Sequence, residues 1–206
     1  MDERSQGLYS FLGRDSIYRG FQNLVGANRL RAFLVDQVIR PTEGAKFLDV
    51  GCGPGDILDF LGRVDYVGFD ANPAYIAAAQ RRFPGRGRFF CQLFTPQAEL
   101  PEDRFDRILA IGLLHHLDDA SCRQLFELAR RHLSPGGSIV TVDACFVPQQ
   151  SWLGRTLTAR DRGANVRTPE GYAALARDVF PEVETIVKTG LIRLPYTHTI
   201  LRCAVS

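Results

Sequence analysis

The side chains that could do chemistry are concentrated around a glycine-rich segment in the first third of the sequence. This segment reads Asp-Val-Gly-Cys-Gly-Pro-Gly over residues 49–55 and follows a short apolar run. Its three glycines allow a tight turn and leave room for a ligand to lie against the backbone. Asp70 ends the next apolar run, nineteen residues after Gly51. A carboxylate there can accept hydrogen bonds from both ribose hydroxyls of an adenosine, so the sequence predicts a site for an adenosine-containing cofactor.

Nicotinamide-dependent oxidoreductases are one alternative, because they combine a glycine-rich turn with an acidic residue at the ribose. Their glycines are spaced Gly-x-Gly-x-x-Gly, whereas this chain has Gly-x-Gly-x-Gly over 51–55. Asp49 also stands where dinucleotide folds usually carry a small apolar residue. Both features disfavour an oxidoreductase without excluding it.

Two adjacent histidines and a later aspartate are the candidate general bases. His115 and His116 follow the apolar run 105–114, and Asp143 lies near the end of another such run. Histidine commonly serves as a base near neutral pH. Neighbouring residues point to different sides of the chain, and His115 is the better candidate to face a substrate. Asp143 is either a base or an anchor that accepts backbone N–H bonds. The same geometry is poor for binding one metal ion, and no metal site is predicted.

The elements that must position these residues alternate between short apolar strands and helices from Lys46 onward, which is typical of a parallel sheet covered on both faces. A helix over about 15–39 precedes them, and residues 147–168 are predicted to be an irregular polar stretch. The predicted strands are Lys46–Val50, Tyr66–Asp70, Gly87–Cys91, Phe105–Ile111 and Ser138–Ala144, with two more near Val183–Thr189 and Thr197–Ala204. The predicted helices are near Gly55–Leu61, Pro73–Phe83, Asp119–Leu133 and Pro169–Phe180. The fold class is therefore α/β.

Length and composition fit one globular domain. The 206 residues are 45% hydrophobic and carry a net charge of +2, which argues against nucleic-acid binding. The longest apolar run is too short to cross a membrane, and the first residues do not resemble a signal peptide. The five cysteines are scattered without a Cys-x-x-Cys pair. This pattern predicts a cytoplasmic protein with reduced thiols.

Four blocks together resemble the class I S-adenosylmethionine-dependent methyltransferases. They are the glycine turn, Asp70, the segment Leu-Leu-His-His-Leu-Asp-Asp over 113–119, and Ser-Pro-Gly-Gly over 134–137. The resemblance covers about Lys46 to Asp143 and is strongest to bacterial small-molecule enzymes such as the quinone-biosynthesis methyltransferases. It implies a single Rossmann-like domain over 1–206, with a mostly parallel seven-stranded sheet. Its parts would be an N-terminal helical lid (1–44), a cofactor-binding core (45–145), and a substrate-side insertion with the C-terminal strands (146–206).

The resemblance also implies the cofactor, S-adenosylmethionine, and its product, S-adenosylhomocysteine. The turn over Gly51, Cys52 and Gly53 would contact the methionine part, with Asp49 near its ammonium and Asp70 on the ribose. The family usually has an acidic residue after the third strand, on the adenine; here Leu93 matches that position, and packing and backbone contacts, with help from Gln92, would replace it. The remaining expected cofactor contacts are Tyr18, Ala71, Ile111, Gly112 and His116.

The expected function is methyl transfer by in-line displacement to a small-molecule acceptor, since the chain adds little to the core that could recognise a macromolecule. Arginines after the fifth strand could form an anion clamp for a sugar phosphate, a nucleotide-linked sugar or a carboxylate; equally, they could belong to a solvated polar loop. The candidate substrate residues are Arg160, Asn165, Arg167, Tyr196 and His198, and the candidate catalytic residues are His115 and Asp143. A second alternative is an S-adenosylmethionine-binding partner protein without activity. The acceptor atom and the oligomeric state are left open.

Overall fold

The computed structural model describes residues 26–160 and 164–205. A first helix, α1 (Ala27–Phe33), continues as π-helical turns over Leu34–Ile39. The strands are β1 (Lys46–Val50), β2 (Asp65–Asp70), β3 (Arg88–Cys91), β4 (Phe105–Ile111), β5 (Leu133–Ala144), β6 (Glu182–Thr189) and β7 (Thr197–Ala204). The other helices are α2 (Pro73–Arg82), α3 (Asp119–His132), α4 (Trp152–Ala159) and α5 (Pro169–Arg177), with short 3-10 turns at Asp56–Asp59 and Leu114–His116.

The seven strands form one sheet in the order β3-β2-β1-β4-β5-β7-β6. The first five strands in this order are parallel to one another, and β7 is antiparallel to both β5 and β6. The predicted mostly parallel seven-stranded α/β fold is confirmed. The chain order reverses between β1 and β4, and ligands of open α/β sheets bind at the carboxyl ends of the strands beside such a reversal.

The sheet is buried on both faces by two apolar layers. On one face, Ile139 of β5 and Leu201 of β7 pack with α3 and α5; on the other, Val140 and Ile200 pack with the helix that contains Leu34. Successive residues of a strand point to opposite faces, so this pattern also fixes the direction of the polar side chains further along β5 and β7.

Helix starts follow their capping residues. Asn72 accepts a hydrogen bond from Ala74 N at 2.9 Å, and Pro73 takes the first position of α2. Asp118 accepts from Ser121 N at 2.8 Å and begins α3. These caps fix where α2 and α3 begin. The segments just before them, which follow β2 and β4, carry the candidate site.

Three sequence predictions need correction. Residues 147–168 are not wholly irregular, because α4 begins after Ser151, which accepts from Gly154 N at 3.1 Å. A Cβ on Gly154 would lie 2.4 Å from Pro195 O, so packing requires a glycine in this helix. The helix predicted near Gly55–Leu61 is a single 3-10 turn, and β5 begins at Leu133, five residues before the predicted start. Residues 1–25, with most of the expected lid, lie outside the described residues.

Candidate functional site

The glycine turn closes over the carboxyl end of β1 and is fixed to the neighbouring strand. Gly51 N and Cys52 N both donate to Phe69 O, at 2.8 and 2.9 Å. Gly51 and Gly53 have φ values of 73° and 54°, which L side chains rarely adopt. A Cβ on Gly53 would meet no atom within 4 Å, so its backbone borders open space where a ligand could lie.

Asp70 lies at the end of β2 with its carboxylate held against this turn. Its Oδ2 accepts from Gly53 N at 2.9 Å, and its Oδ1 accepts from Asn72 N at 2.8 Å. The side chain is only half-buried, and each carboxylate oxygen has a second lone pair. The two backbone N–H groups therefore orient a carboxylate that can still accept hydrogen bonds from a ligand.

Asp49 lies beneath the turn and is buried. Tyr66 on β2 donates its hydroxyl to Asp49 Oδ2 at 2.6 Å. Burial raises the pKa of Asp49 to about 7, and the charge of Asp70 adds to this rise, although the hydrogen bond from Tyr66 opposes it. A cation bound beside Asp49 would favour its ionised form.

Asp49 is expected to make the folded protein less stable as the pH rises. The unfolded side chain titrates near 3.8 and the folded one near 7, so between these values the folded state binds more protons and loses stability with increasing pH. Asp49→Asn removes this titration and keeps an oxygen for Tyr66. Thermal unfolding should show the Tm of the variant rising relative to the wild type by roughly 5–10 °C between pH 4.5 and pH 8. A constant difference in Tm would contradict the burial of an ionisable Asp49.

The predicted adenine end is open and contains no carboxylate over residues 91–94. Leu93 is 65% exposed, and Ala71 is also exposed. Gln92 donates its side-chain amide to Glu99 O at 3.0 Å, which orients the amide along the loop after β3. Leu93 and Ala71 are thus both accessible to a ligand at the ends of β3 and β2.

The Cys52 thiol lies inside the turn, where it donates to Gly53 O at 3.4 Å. A Cβ on Gly68 of β2 would lie 2.8 Å from Cys52 Sγ, so this thiol packs onto β2 and away from open space. Burial raises the pKa of the Cys52 thiol well above its ordinary value. The side chain is therefore part of the packing beneath the turn.

The turn after β4 brings His115 and Asp143 together. His115 Nδ1 lies 2.8 Å from Asp143 Oδ1, and His115 N donates to the same oxygen at 3.2 Å. Both side chains are buried, at 7% and 2% exposure. A carboxylate can only accept, so the proton of a neutral His115 lies on Nδ1 and Nε2 is left as the basic nitrogen. Two candidate bases predicted separately thus form one pair, and Asp143 also anchors the turn through the backbone.

The segment that carries His115 adjoins the glycine turn through Leu113. A Cβ on Gly112 would lie 3.8 Å from His115 Cε1, and a Cβ on Gly51 would lie 3.2 Å from Leu113 Cδ1. Gly112, with φ of 69°, donates to Val142 O at 2.7 Å, which joins the ends of β4 and β5. His116 is exposed, and its ring lies 4.1 Å from that of His115. Ile111, the last residue of β4, is half-buried.

Arg167 does not form the predicted anion clamp. Its five N–H groups make five hydrogen bonds within the protein, to Leu114 O, Leu117 O, Asn165 O and, twice, Asp119 Oδ1. A guanidinium has five such donors, so none is left for a substrate anion. The prediction of Arg167 as a substrate ligand is therefore corrected by this geometry.

The other predicted substrate residues do not form one cluster, although the rings of Tyr196 and His198 lie 6.1 Å apart. Arg160 is exposed at the end of α4, and Asn165 N donates to His115 O at 3.0 Å. His198 pairs with Ala144 and Asp143 with Thr199, so His198 and Asp143 point to opposite faces of the sheet. Tyr196 donates its hydroxyl to Leu157 O at 3.3 Å. Tyr18, a predicted cofactor contact, lies outside the described residues.

Sequence reasoning missed the hydrogen bond from Tyr66 to Asp49 and the internal hydrogen bonds of Arg167. The parallel register of β1 and β2 could have indicated the first of these, because it pairs Phe47 with Tyr66 and Asp49 with Gly68. Tyr66 then lies on the same face of the sheet as Asp49. Within residues 26–160 and 164–205, no group of three or more His, Cys, Asp or Glu side chains is arranged to hold a metal ion. Over the same residues, no helix has both the length and the apolar character needed to span a bilayer.

The amino-acid sequence is similar to those of known methyltransferases. Residues 47–137 match the family model described as a methyltransferase domain. The chain is 28% identical over 173 residues to phosphoethanolamine N-methyltransferase 3 of Arabidopsis thaliana, covering 80% of this chain and 34% of that protein. It is 31% identical over 105 residues to a ubiquinone biosynthesis O-methyltransferase of Paramagnetospirillum magneticum, covering 50% of this chain and 41% of that protein. The chain thus spans about a third to two fifths of the length of these relatives.

Solved structures share the fold at low sequence identity. Human N-acetylserotonin methyltransferase in complex with S-adenosylmethionine superposes with a TM-score of 0.65 and 19% identity, covering 92% of this chain and 55% of that one. The pyocyanin biosynthetic protein PhzM superposes with a TM-score of 0.73 and 18% identity, covering 96% and 61%. At these identities the superpositions show the fold alone.

Proposed function

Because this chain carries a class I S-adenosylmethionine-dependent methyltransferase domain, we propose that it transfers a methyl group from S-adenosylmethionine to a small-molecule acceptor. The observation that carries the proposal is that the glycine turn lies against Leu113, two residues before the histidine of the His115–Asp143 pair, at the carboxyl ends of the strands. A cofactor site and a base are thereby neighbours, which is the arrangement that methyl transfer to a protonated nucleophile needs.

Each part of the crevice has a proposed role toward the cofactor. Asp70 accepts from the ribose hydroxyls, and Asp49 faces the methionine ammonium. The backbone of 51–53 supports the methionine part, while Leu93, with Ala71 and Gln92, packs on the adenine. Three residues line the methionine side past β4, namely Ile111, Gly112 and His116. Tyr18, outside the described residues, stays a prediction.

The bound cofactor supplies an electrophilic methyl group on a sulfonium, and the protein supplies alignment and a base. We assign the base to His115 Nε2, which takes the proton of the acceptor as the acceptor gains the methyl group. Asp143 keeps the Nδ1–H tautomer and stabilises the imidazolium that forms. The cofactor leaves as S-adenosylhomocysteine, so one proton and one methyl group are accounted for.

A base at this position favours acceptors whose reacting atom carries a proton at neutral pH, either a hydroxyl or an ammonium. The named relatives include one class of each kind, an O-methyltransferase and an N-methyltransferase. An anionic acceptor has less support. All N–H donors of Arg167 are used within the protein, which leaves the exposed Arg160 as the predicted arginine that could contact an anion. We propose a small hydroxyl- or amine-bearing molecule in which the negative charge is not essential.

Calorimetry and label transfer test this function. Wild-type protein should bind S-adenosylmethionine and S-adenosylhomocysteine, and should move a labelled methyl group into hydroxyl- or amine-bearing fractions of a metabolite pool. Binding without transfer to any fraction would instead support a cofactor-binding partner protein. Absence of binding to both compounds would contradict the proposal, and binding of a nicotinamide cofactor in their place would revive the oxidoreductase alternative.

A further inference from the structure

The guanidinium of Arg167 lies against the turn that carries His115. Its side chain is only 12% exposed, although Arg167 belongs to the segment that joins α4 to α5. Nη1 donates to Leu114 O at 3.1 Å, and Nη2 donates to Leu117 O at 2.8 Å. These two carbonyls flank His115 and His116, so one planar group fixes both ends of the turn.

The backbone around Arg167 holds the same structure from two further directions. Asn165 N donates to His115 O at 3.0 Å, which fixes the peptide group of the histidine itself. Phe146 N donates to Arg167 O at 3.1 Å, and Cys145 forms an isolated parallel bridge with Arg167. Cys145 follows Asp143 by two residues. The segment containing Arg167 therefore joins the end of β5, which carries the aspartate, to the turn, which carries the histidine.

From these contacts we propose that Arg167 is a positioning residue, which fixes the His115 turn relative to Asp143 and so maintains the tautomer and direction of the imidazole. This inference rests on the proposed function. A displacement of about 1 Å at a reacting group can reduce a rate roughly 100-fold, so a residue that never touches substrate can strongly affect turnover.

The carbonyl contacts, more than the ion pair, give Arg167 this role. Its partner Asp119 is 62% exposed, and ion pairs with such an exposed member contribute little on their own. A lysine would keep the charge but has three donors on one nitrogen and no planar fork. It cannot reproduce contacts to carbonyls on both sides of the turn. Arg167→Lys is therefore the conservative variant that separates charge from geometry.

The test combines kinetics with an observation of the imidazole. Arg167→Lys and Arg167→Gln should lower kcat by about 10- to 100-fold. The KM for the acceptor and the affinity for S-adenosylmethionine should stay within about threefold of the wild type. NMR of ¹⁵N-labelled protein, with His115→Gln used to assign the signals of the four histidines, should show the His115 Nδ1–H tautomer losing population in both variants. Arg123→Gln, which breaks an exposed ion pair with Asp178, is the matched control and should leave kcat and tautomer unchanged.

Each other outcome counts against the proposal. A tenfold higher KM with unchanged kcat and tautomer would show that Arg167 binds the acceptor, as the sequence had suggested. An unchanged tautomer in folded Arg167→Lys would remove the positioning role even if Arg167→Gln fails to fold. The tautomer measurement needs neither cofactor nor acceptor, so failure of the wild type to bind S-adenosylmethionine would overturn the proposed function separately.

Discussion

The Asp143→Asn variant is expected to bind S-adenosylmethionine as tightly as the wild type but to transfer the methyl group roughly 10²- to 10⁴-fold more slowly. Asparagine would offer its amide oxygen to the two groups from which Asp143 Oδ1 accepts, His115 Nδ1 and His115 N, but without a negative charge. The imidazolium that forms when Nε2 takes the proton would then lose its counter-charge, and the Nδ1–H tautomer would be held less strongly. Asparagine fills nearly the same volume, so packing at the end of β5 is preserved.

Single-turnover rates with saturating cofactor measure this effect, and calorimetry measures binding in parallel. His115→Gln should lose a similar factor, and the double variant should lose little more, because two residues that act as one unit are not additive. His132→Gln is the control, since His132 ends α3 and packs near Phe94, away from the pair. Wild-type rates in Asp143→Asn, or rate losses that simply multiply in the double variant, would contradict a shared role.

The parts of the site that could be predicted are those fixed by strand order and local turn chemistry. Gly51 and Asp70 end adjacent parallel strands, and the positive φ angles at 51 and 53 require the glycines that marked the turn. One helix cap, Asn72 with Pro73, was equally local. In each case the deciding interactions lie within a few residues along the chain or follow from one parallel pairing.

The pairings that could not be predicted depend on contacts between distant segments. His115 and Asp143 are 28 positions apart, and their bond requires the β4–β5 register together with the turn after β4. The prediction placed both residues at the site but could not decide whether Asp143 was a base or an anchor. Arg167 was misjudged because a cluster of arginines in sequence does not show whether their donors are already used. Five internal hydrogen bonds answer that question only in three dimensions.

Replacing Asp70 with alanine is expected to weaken S-adenosylmethionine binding by about 10- to 1000-fold. The ribose hydroxyls would lose their acceptor, and Gly53 N and Asn72 N would lose the carboxylate that orients the turn. Asp65→Asn is the matched control. Asp65 begins the same strand and pairs with Arg88, so it lies at the amino end of β2, whereas Asp70 lies at the carboxyl end. Calorimetry should find its affinity for the cofactor unchanged.

A thermodynamic cycle separates the ribose contact from damage to the turn. If Asp70 binds the hydroxyls, a 2′-deoxyribose analogue of S-adenosylhomocysteine should bind the wild type about tenfold or more weakly than the natural compound. Against Asp70→Ala, the two compounds should bind almost equally, because the group that distinguishes them is gone. Equal discrimination by both proteins would show that Asp70 only supports the turn. The affinity loss of the variant would then come from Gly53 and its neighbours, and the ribose would have to be held by another part of the crevice.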